Sequence, residues 1–294
     1  MPFFTGLTPP ADWMDPDLVP RPLVTVGAAG IVMDDLGRQE TDFHRHRKGQ
    51  LLLSLRGVLT CEIEGGLWIA PAHSAIWIPG GILHNFTAAG MLECYITLID
   101  PAVTAQLPAR CCTLSTTPLL RELLIRSASF PMLYAEGGME SRVVALLLDE
   151  IAQMPSGNLH LPMPADARLR RIAEMIMADP ADRGTIQTWA QRVGLSERTL
   201  ARVLTRETGM SFGRWRQQLQ LLLAVKWLGT GSSVKQVASD LGYENASSFV
   251  AMFRKALGAS PGRYTAASDA RIDRAHLIAA TRAPLQTTSP PSEY

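Results

Sequence analysis

Apolar residues between Leu23 and Leu98 fall in short runs broken by glycine and proline: 23–26, 50–55, 58–63, 67–69, 74–78, 82–87 and 92–98. Gly57 and Gly65-Gly66 stand at natural turns. Short runs at even spacing predict strands of a sandwich or small barrel. The period changes after Pro118. Residues 118–128 carry Leu119, Leu120, Leu123 and Leu124, and residues 139–154 carry Val143, Val144, Leu147, Leu148, Ile151 and Met154. That spacing is helical. Helices that follow a barrel can simply cover it. Pro155 to Pro164 is dense in helix breakers and reads as a linker. Helical patterns then resume over 169–177, 185–192, 196–207, 212–228 and 246–257.

Within that second half the chain says nearly the same thing twice. Ala190 and Gly194 recur as Ala238 and Gly242, an offset of 48. Leu200, Leu204, Gly209 and Ser211 recur as Phe249, Phe253, Gly258 and Ser260, an offset of 49. A small residue lets two helices approach closely, and a glycine four places later supplies the left-handed turn that ends the first of them. Ser196 suits the N-cap of the next helix. One such spacing is also how an ordinary helix ends. Two copies with matching apolar positions and basic second helices point to paired helix-turn-helix motifs. The helix between them, 17 residues long, spans about 25 Å. Successive major grooves on one DNA face lie about 34 Å apart, so such a spacer can serve both.

Charge sharpens the division. Residues 1–164 hold 10 Lys/Arg against 16 Asp/Glu, whereas residues 165–264 hold 15 against 8. An acidic half joined to a basic half fits a sensor attached to a polyanion binder. The chain of 294 residues is therefore divided into a loose arm (1–20), an effector-binding and dimerisation domain (21–154), a linker (155–164), a DNA-binding domain (165–264) and a tail (265–294). No apolar run approaches 18 residues, and Met1-Pro2-Phe3-Phe4 does not open a signal peptide. No membrane association is expected, and the cytoplasm is the expected location. Cys61, Cys94, Cys111 and Cys112 have no metal-type spacing and read as small hydrophobes.

Val237-Ala238 through Leu241-Gly242-Tyr243, then Phe249, Phe253-Arg254 and Gly258-Ala259-Ser260-Pro261, resemble the C-terminal signature of AraC/XylS-family transcription regulators. The resemblance implies double-stranded promoter DNA, a small-molecule effector, a homodimer and RNA polymerase as partners. It assigns base reading to Arg198, Ala201 and Arg202 on the first recognition helix. On the second, the outward positions are Ala246, Ser247, Ser248, Val250 and Ala251, where relatives often carry an arginine at the last; Ala246, Ser247, Ser248 and Ala251 are the base-reading candidates. Thr205, Arg206, Arg216, Lys226, Arg254, Lys255 and Arg263 are candidate phosphate contacts; a solvated basic face is the plainer alternative for each. Arginine can donate two hydrogen bonds to guanine, whereas hydroxyls and methyls read thymine or phosphate. The first motif is thus expected to discriminate sequence and the second to anchor.

In the first half, His44-x-His46-x-x-x-Gln50-x6-Gly57 and Pro79-x-Gly81-x-x-His84 resemble the two cupin motifs. The departures are Gln50 where glutamate is usual and Ala88 where asparagine is usual. The fold implied is α+β with two domains: a cupin-like antiparallel β-barrel with following helices, then an all-α domain of two helix-turn-helix motifs joined by a long helix. In metal-binding relatives the corresponding residues hold one ion, so His44, His46, Gln50 and His84 are candidate ligands for a divalent metal. The competing reading is a metal-free effector pocket with the same four residues, walled by Phe43, Trp68, Trp77 and Phe86. Glutamine in place of glutamate removes a negative charge and favours the second reading. A transcription regulator is expected, not an enzyme. The rival readings are a cupin dioxygenase or isomerase fused to a DNA-binding module, and an architectural DNA-binding protein without a ligand.

Overall fold

The computed structural model describes residues 3–4, 15, 17–33, 43–63, 65–157 and 159–264. Nine strands form one sheet: β1 (Phe3–Phe4), β2 (Leu23–Met33), β3 (Gly49–Ile63), β4 (Gly66–Ala70), β5 (Ser74–Ile78), β6 (His84–Ile99), β7 (Cys112–Ser115), β8 (Ser156–Gly157) and β9 (His160–Pro162). The order is β1-β2-β6-β3-β5-β7-β8, with β4 joining β3 to β9. All pairs are antiparallel except β1 with β2.

Two pairs of expected short runs are each one long strand. Runs 50–55 and 58–63 join in β3, whose register against β6 shifts between Ser54 and Val58 around Gly57 (φ 73°). The irregularity changes which side chains face which way. Before it, Leu51, Leu53 and Leu55 pack outward against helices, while Leu52 joins the barrel interior. After it, Leu59, Cys61 and Ile63 take the interior, and Val58 turns to the C-terminal helices. Runs 82–87 and 92–98 likewise join in β6. The interior is lined by Leu52, Leu59, Cys61, Trp68, Ile76, Ile78, Phe86, Leu92 and Cys94.

Helices α1 (Pro118–Ser127) and α2 (Met139–Ala152) cover the outer face through Leu120, Leu124, Val144, Leu147 and Ile151. Buried hydroxyls fasten α1 to the sheet: Ser127 Oγ donates to Thr25 Oγ1 (2.7 Å), which lies 3.0 Å from Thr97 Oγ1. Two sequence expectations need correction here. Residues 155–164 are not a free linker, because β8 pairs with β7 and β9 with β4. Nor is all of 1–20 loose: Asp17 accepts hydrogen bonds from Arg47 N (2.6 Å) and Lys48 N (2.9 Å), and Val19 is buried. The fully buried Lys48 ammonium donates to the carbonyls of Val19 (2.7 Å) and Arg21 (3.1 Å), which explains how a charge is tolerated there. The tail 265–294 lies outside the described residues.

Six helices follow among the described residues: α3 (Ala167–Ala178), α4 (Ile186–Arg192), α5 (Glu197–Thr208), α6 (Phe212–Gly229), α7 (Val234–Asp240) and α8 (Ala246–Leu257). Each starts at a side-chain cap: Asp166, Thr185, Ser196, Ser211, Ser233 and Asn245 in turn. Such a cap contributes about 1 kcal/mol. Trp189, Leu200, Trp215, Leu222, Phe249 and Phe253 are central to their shared core. Val58, Ile69 and Leu161 from the sheet, with Leu159 just before β9, belong to that same core. Trp215 Nε1 donates to Pro162 O (2.8 Å) and Gln218 Nε2 to His160 O (2.9 Å), so α6 is fastened to β9.

Candidate nucleic-acid interface and barrel site

The two helix pairs α4–α5 and α7–α8 turn at Gly194 (φ 70°) and Gly242 (φ 76°). On α5 the buried stripe is Leu200, Val203 and Leu204. Its opposite face presents Arg198 and Arg202 exposed, with the half-buried Ala201 between them. Neither guanidinium is in an ion pair among the described residues. Thr205 and Arg206 are also exposed but engaged: Thr205 Oγ1 donates to Met210 O (3.2 Å), and Arg206 pairs with Glu207 (2.9 Å).

Helix α8 buries Phe249 and Phe253. Its other side is an open depression of about 710 Å³ lined by Ala246, Ser247, Val250, Ala251, Arg254 and Lys255. Small side chains leave that hollow, and two cations border it. Ser248 Oγ lies 3.1 Å from Asn245 Oδ1, which also caps the helix through Ser248 N (2.9 Å). Lys226 is partly exposed and Arg263 exposed.

Arg216 departs from its expected role as a phosphate contact. Its guanidinium turns inward and donates to Gly184 O (3.2 Å) and Asp182 O, with burial holding its pKa below the usual value. Helical spacing placed Arg216 on α6 but could not show the loop that packs against it. Sequence reasoning also passed over Arg183, which donates to Gly242 O and pairs with Glu244 at 3.0 Å, and Gln220, which donates to Pro180 O (3.1 Å).

In the barrel, His44, His46 and His84 meet. Their nearest ligand atoms all lie within 4.8 Å of one another. His44 and His84 exchange backbone hydrogen bonds as an isolated bridge, and their rings lie 4.5 Å apart. His46 Nδ1 sits 2.6 Å from Lys48 O, and His84 Nδ1 sits 2.8 Å from Ile82 O. A carbonyl can only accept, so each Nδ1 carries a proton and donates. Their Nε2 atoms converge on Gln50 Oε1 at 2.8 and 2.9 Å. Burial pushes His84 down to about 4, which keeps its ring neutral near pH 7. The neutral His84 ring presents an Nε2 lone pair, which suits either a cation or the NH2 end of the Gln50 amide after a flip. The donor set thus fits a divalent ion: imidazoles oriented by backbone carbonyls, with an amide oxygen beside them.

The expected pocket wall divides. Trp68 and Phe86 face the interior. Trp77 does not: its neighbours are Leu51, Leu53 and the covering helices, and its Nε1 donates to Pro108 O (2.7 Å). Alternation along β5 puts Ile76 and Ile78 inside and Trp77 outside. Phe43 is 49% exposed and walls nothing.

Comparison with known proteins adds the following. A profile described as an AraC-like ligand binding domain matches residues 34–179, and one described as a helix-turn-helix domain matches residues 189–267. The HTH-type transcriptional regulator NimR of Escherichia coli (strain K12) is 42% identical over 223 residues, covering 76% of this chain and 81% of that protein. The HTH-type transcriptional regulator RipA of Corynebacterium glutamicum is 34% identical over 104 residues, covering 35% of this chain and 31% of that protein. Among solved structures, ToxT from Vibrio cholerae covers 83% of this chain and 98% of its own, with 11% identity and a TM-score of 0.36.

Proposed function

Since the chain belongs to the AraC family of DNA-binding transcription regulators, we propose that it reads promoter DNA through two unequal helix-turn-helix faces controlled by a ligand in the barrel. It is a transcription regulator, not an enzyme. It binds DNA and a small-molecule effector.

The observation that carries the proposal is the contrast between the two outward faces. Helix α5 offers the exposed, unbridged Arg198 and Arg202; α8 offers Ala246, Ser247 and Ala251 bordered by Arg254 and Lys255. The α5 arginines read guanine in one major groove. The α8 face follows the backbone of the next and tolerates more sequences, with Ser248 and Ala201 lending only small contacts. Arg254, Lys255, Lys226, Arg263, Thr205 and Arg206 neutralise or approach phosphate. A bidentate arginine is worth roughly 1–3 kcal/mol of discrimination. Arg202→Ala should therefore bring operator affinity about 5–150-fold closer to affinity for random DNA. An Arg202→Ala protein that still separates operator from random duplex as well as wild type would sink the assignment.

The effector site is read as the space around His44, His46, Gln50 and His84, with Trp68 and Phe86 beside it. His44, His46 and His84 would hold a divalent first-row ion, with Gln50 Oε1 as a further ligand, and the ion would supply a fixed positive charge at the effector site. The division into residues 21–154 and 165–264 follows the two functions, with β9 as the joint. The homodimer is proposed through α1 and α2, where Leu119, Met139 and Leu146 are exposed apolar residues. RNA polymerase is the further partner at the promoter, and the cytoplasm is the compartment. No helix among the described residues is long and apolar enough to cross a membrane.

A further inference from the structure

A connecting helix sets the distance between two recognition helices but not their rotation about its axis. Here a second tie exists, centred on the loop at 180–184 that feeds α4. Arg216 and Gln220, one turn apart on α6, donate into this loop at Asp182 O, Gly184 O (3.2 Å) and Pro180 O (3.1 Å). The same Gln220 amide reaches Leu241 O (3.4 Å), at the end of α7. From the loop itself Arg183 crosses to Gly242 O and to Glu244 (3.0 Å). Gly242 leans on Ala181 so closely that a Cβ there would lie 2.8 Å from Ala181 O. The loop is held in turn by the Asp182 carboxylate, which accepts from Gly184 N (2.7 Å) and Arg192 (2.6 Å). Arg192 also lies over the Trp189 ring, 4.3 Å from its centre. The turn that launches α8 is thereby fixed to the loop that launches α4 directly, through Arg183 and Ala181, as well as by way of α6.

We propose that residues 180–184, with Arg183 and Gln220, form a brace that makes the two helix-turn-helix motifs one rigid reader. Arg183 and Gln220 are positioning residues: they act by setting how α5 and α8 enter successive grooves. The inference rests on the two-face reading above. Its consequence is a strict separation between the two parts of the operator. One inserted base pair moves the second part by roughly 3.4 Å and rotates it by roughly 35°. A rigid reader cannot follow that displacement.

The test uses the full-length chain. Wild-type protein first selects its site from a random duplex library. Binding is then measured on that site and on versions with one base pair added or removed between its two parts. Wild type should lose about tenfold or more on either change, the scale of one or more lost base-pair contacts. Arg183→Ala with Gln220→Ala should lose less than about threefold, while the dependence of binding on salt, which counts phosphate contacts, stays unchanged. Arg183→Lys keeps a donor for Gly242 O and should restore most of the penalty. Should the double variant fail to fold, the exposed Arg183→Ala alone carries the same comparison. A spacing penalty in the variants equal to that of wild type overturns the brace alone. A wild-type chain that enriches no two-part site overturns the two-face reading and the brace with it.

Discussion

Replacing Gly194 and Gly242 by alanine, one at a time, separates backbone conformation from room. The two glycines hold nearly the same left-handed conformation, φ 70° and 76°. Their surroundings differ. A Cβ on Gly194 would meet nothing within 4 Å, whereas one on Gly242 would lie 2.8 Å from Ala181 O and 2.9 Å from its Cα. Both substitutions incur the left-handed penalty of an L-residue, about 1–2 kcal/mol. Only Gly242→Ala must also displace backbone, which adds about 1–3 kcal/mol on the scale of other overpacked sites. Chains of more than one domain depart from two-state unfolding, so a single midpoint would mix the effects. Amide hydrogen exchange read on peptides covering α4–α5 and α7–α8 isolates each motif. Exchange in α4–α5 should quicken by about 5–30-fold in Gly194→Ala. Exchange in α7–α8 should quicken by a further factor of about 5–150 beyond that in Gly242→Ala. Equal effects of the two substitutions, or a larger one at Gly194, would refute the steric reasoning and with it the tight seat of the second turn on Ala181.

Two other outcomes follow from the barrel and its joint. Equilibrium dialysis of wild type against Zn2+ should find one ion per chain, lost in His46→Ala; Gln50→Glu should bind it more tightly, because a carboxylate adds the negative charge that the amide lacks. Absence of binding in Gln50→Glu would show that the histidines cannot reach one centre. His160 has its pKa lowered by burial against the stacked ring of Trp68, 4.5 Å away. The unfolded chain therefore takes up this proton first as pH falls. The associated stability is fully present above about pH 6.5 and is lost as pH drops toward the folded value. His160→Gln should flatten the fall in stability below pH 6.5, measured by denaturant unfolding at a series of pH values, and an unchanged slope would dismiss His160 as a contributor.

Local pattern was enough for whatever depends on neighbours in sequence. The expected helix at 246–257 is α8 residue for residue, and Ser74–Ile78 is likewise β5. Other helix boundaries moved by a residue or two, and Ser196, expected as an N-cap, caps α5. Helical period alone put Arg198 and Arg202 opposite Leu200, Val203 and Leu204. Two-residue periodicity put His44 and His46 on one face, and the motif spacing joined them to His84 and Gln50.

Tertiary structure decided what depends on distant partners. Trp77 lies outside the barrel because the neighbouring strands and α1–α2 claim its face, and an isolated run carries no label for inside or outside. Strands β7, β8 and β9 are too short to announce themselves, since two to four residues cannot display a period; they exist because β5, β7 and β4 in turn present edges to pair with. Arg216 and Arg202 look alike in sequence, as exposed-phase arginines on helices. One faces solvent and the other is spent on the carbonyls of a loop more than 30 residues away. The sequence by itself therefore determined that there are two helix-turn-helix motifs and which faces they turn outward. Their fixed mutual orientation, and their seat on β9, came from hydrogen bonds and close contacts between segments that no local pattern relates.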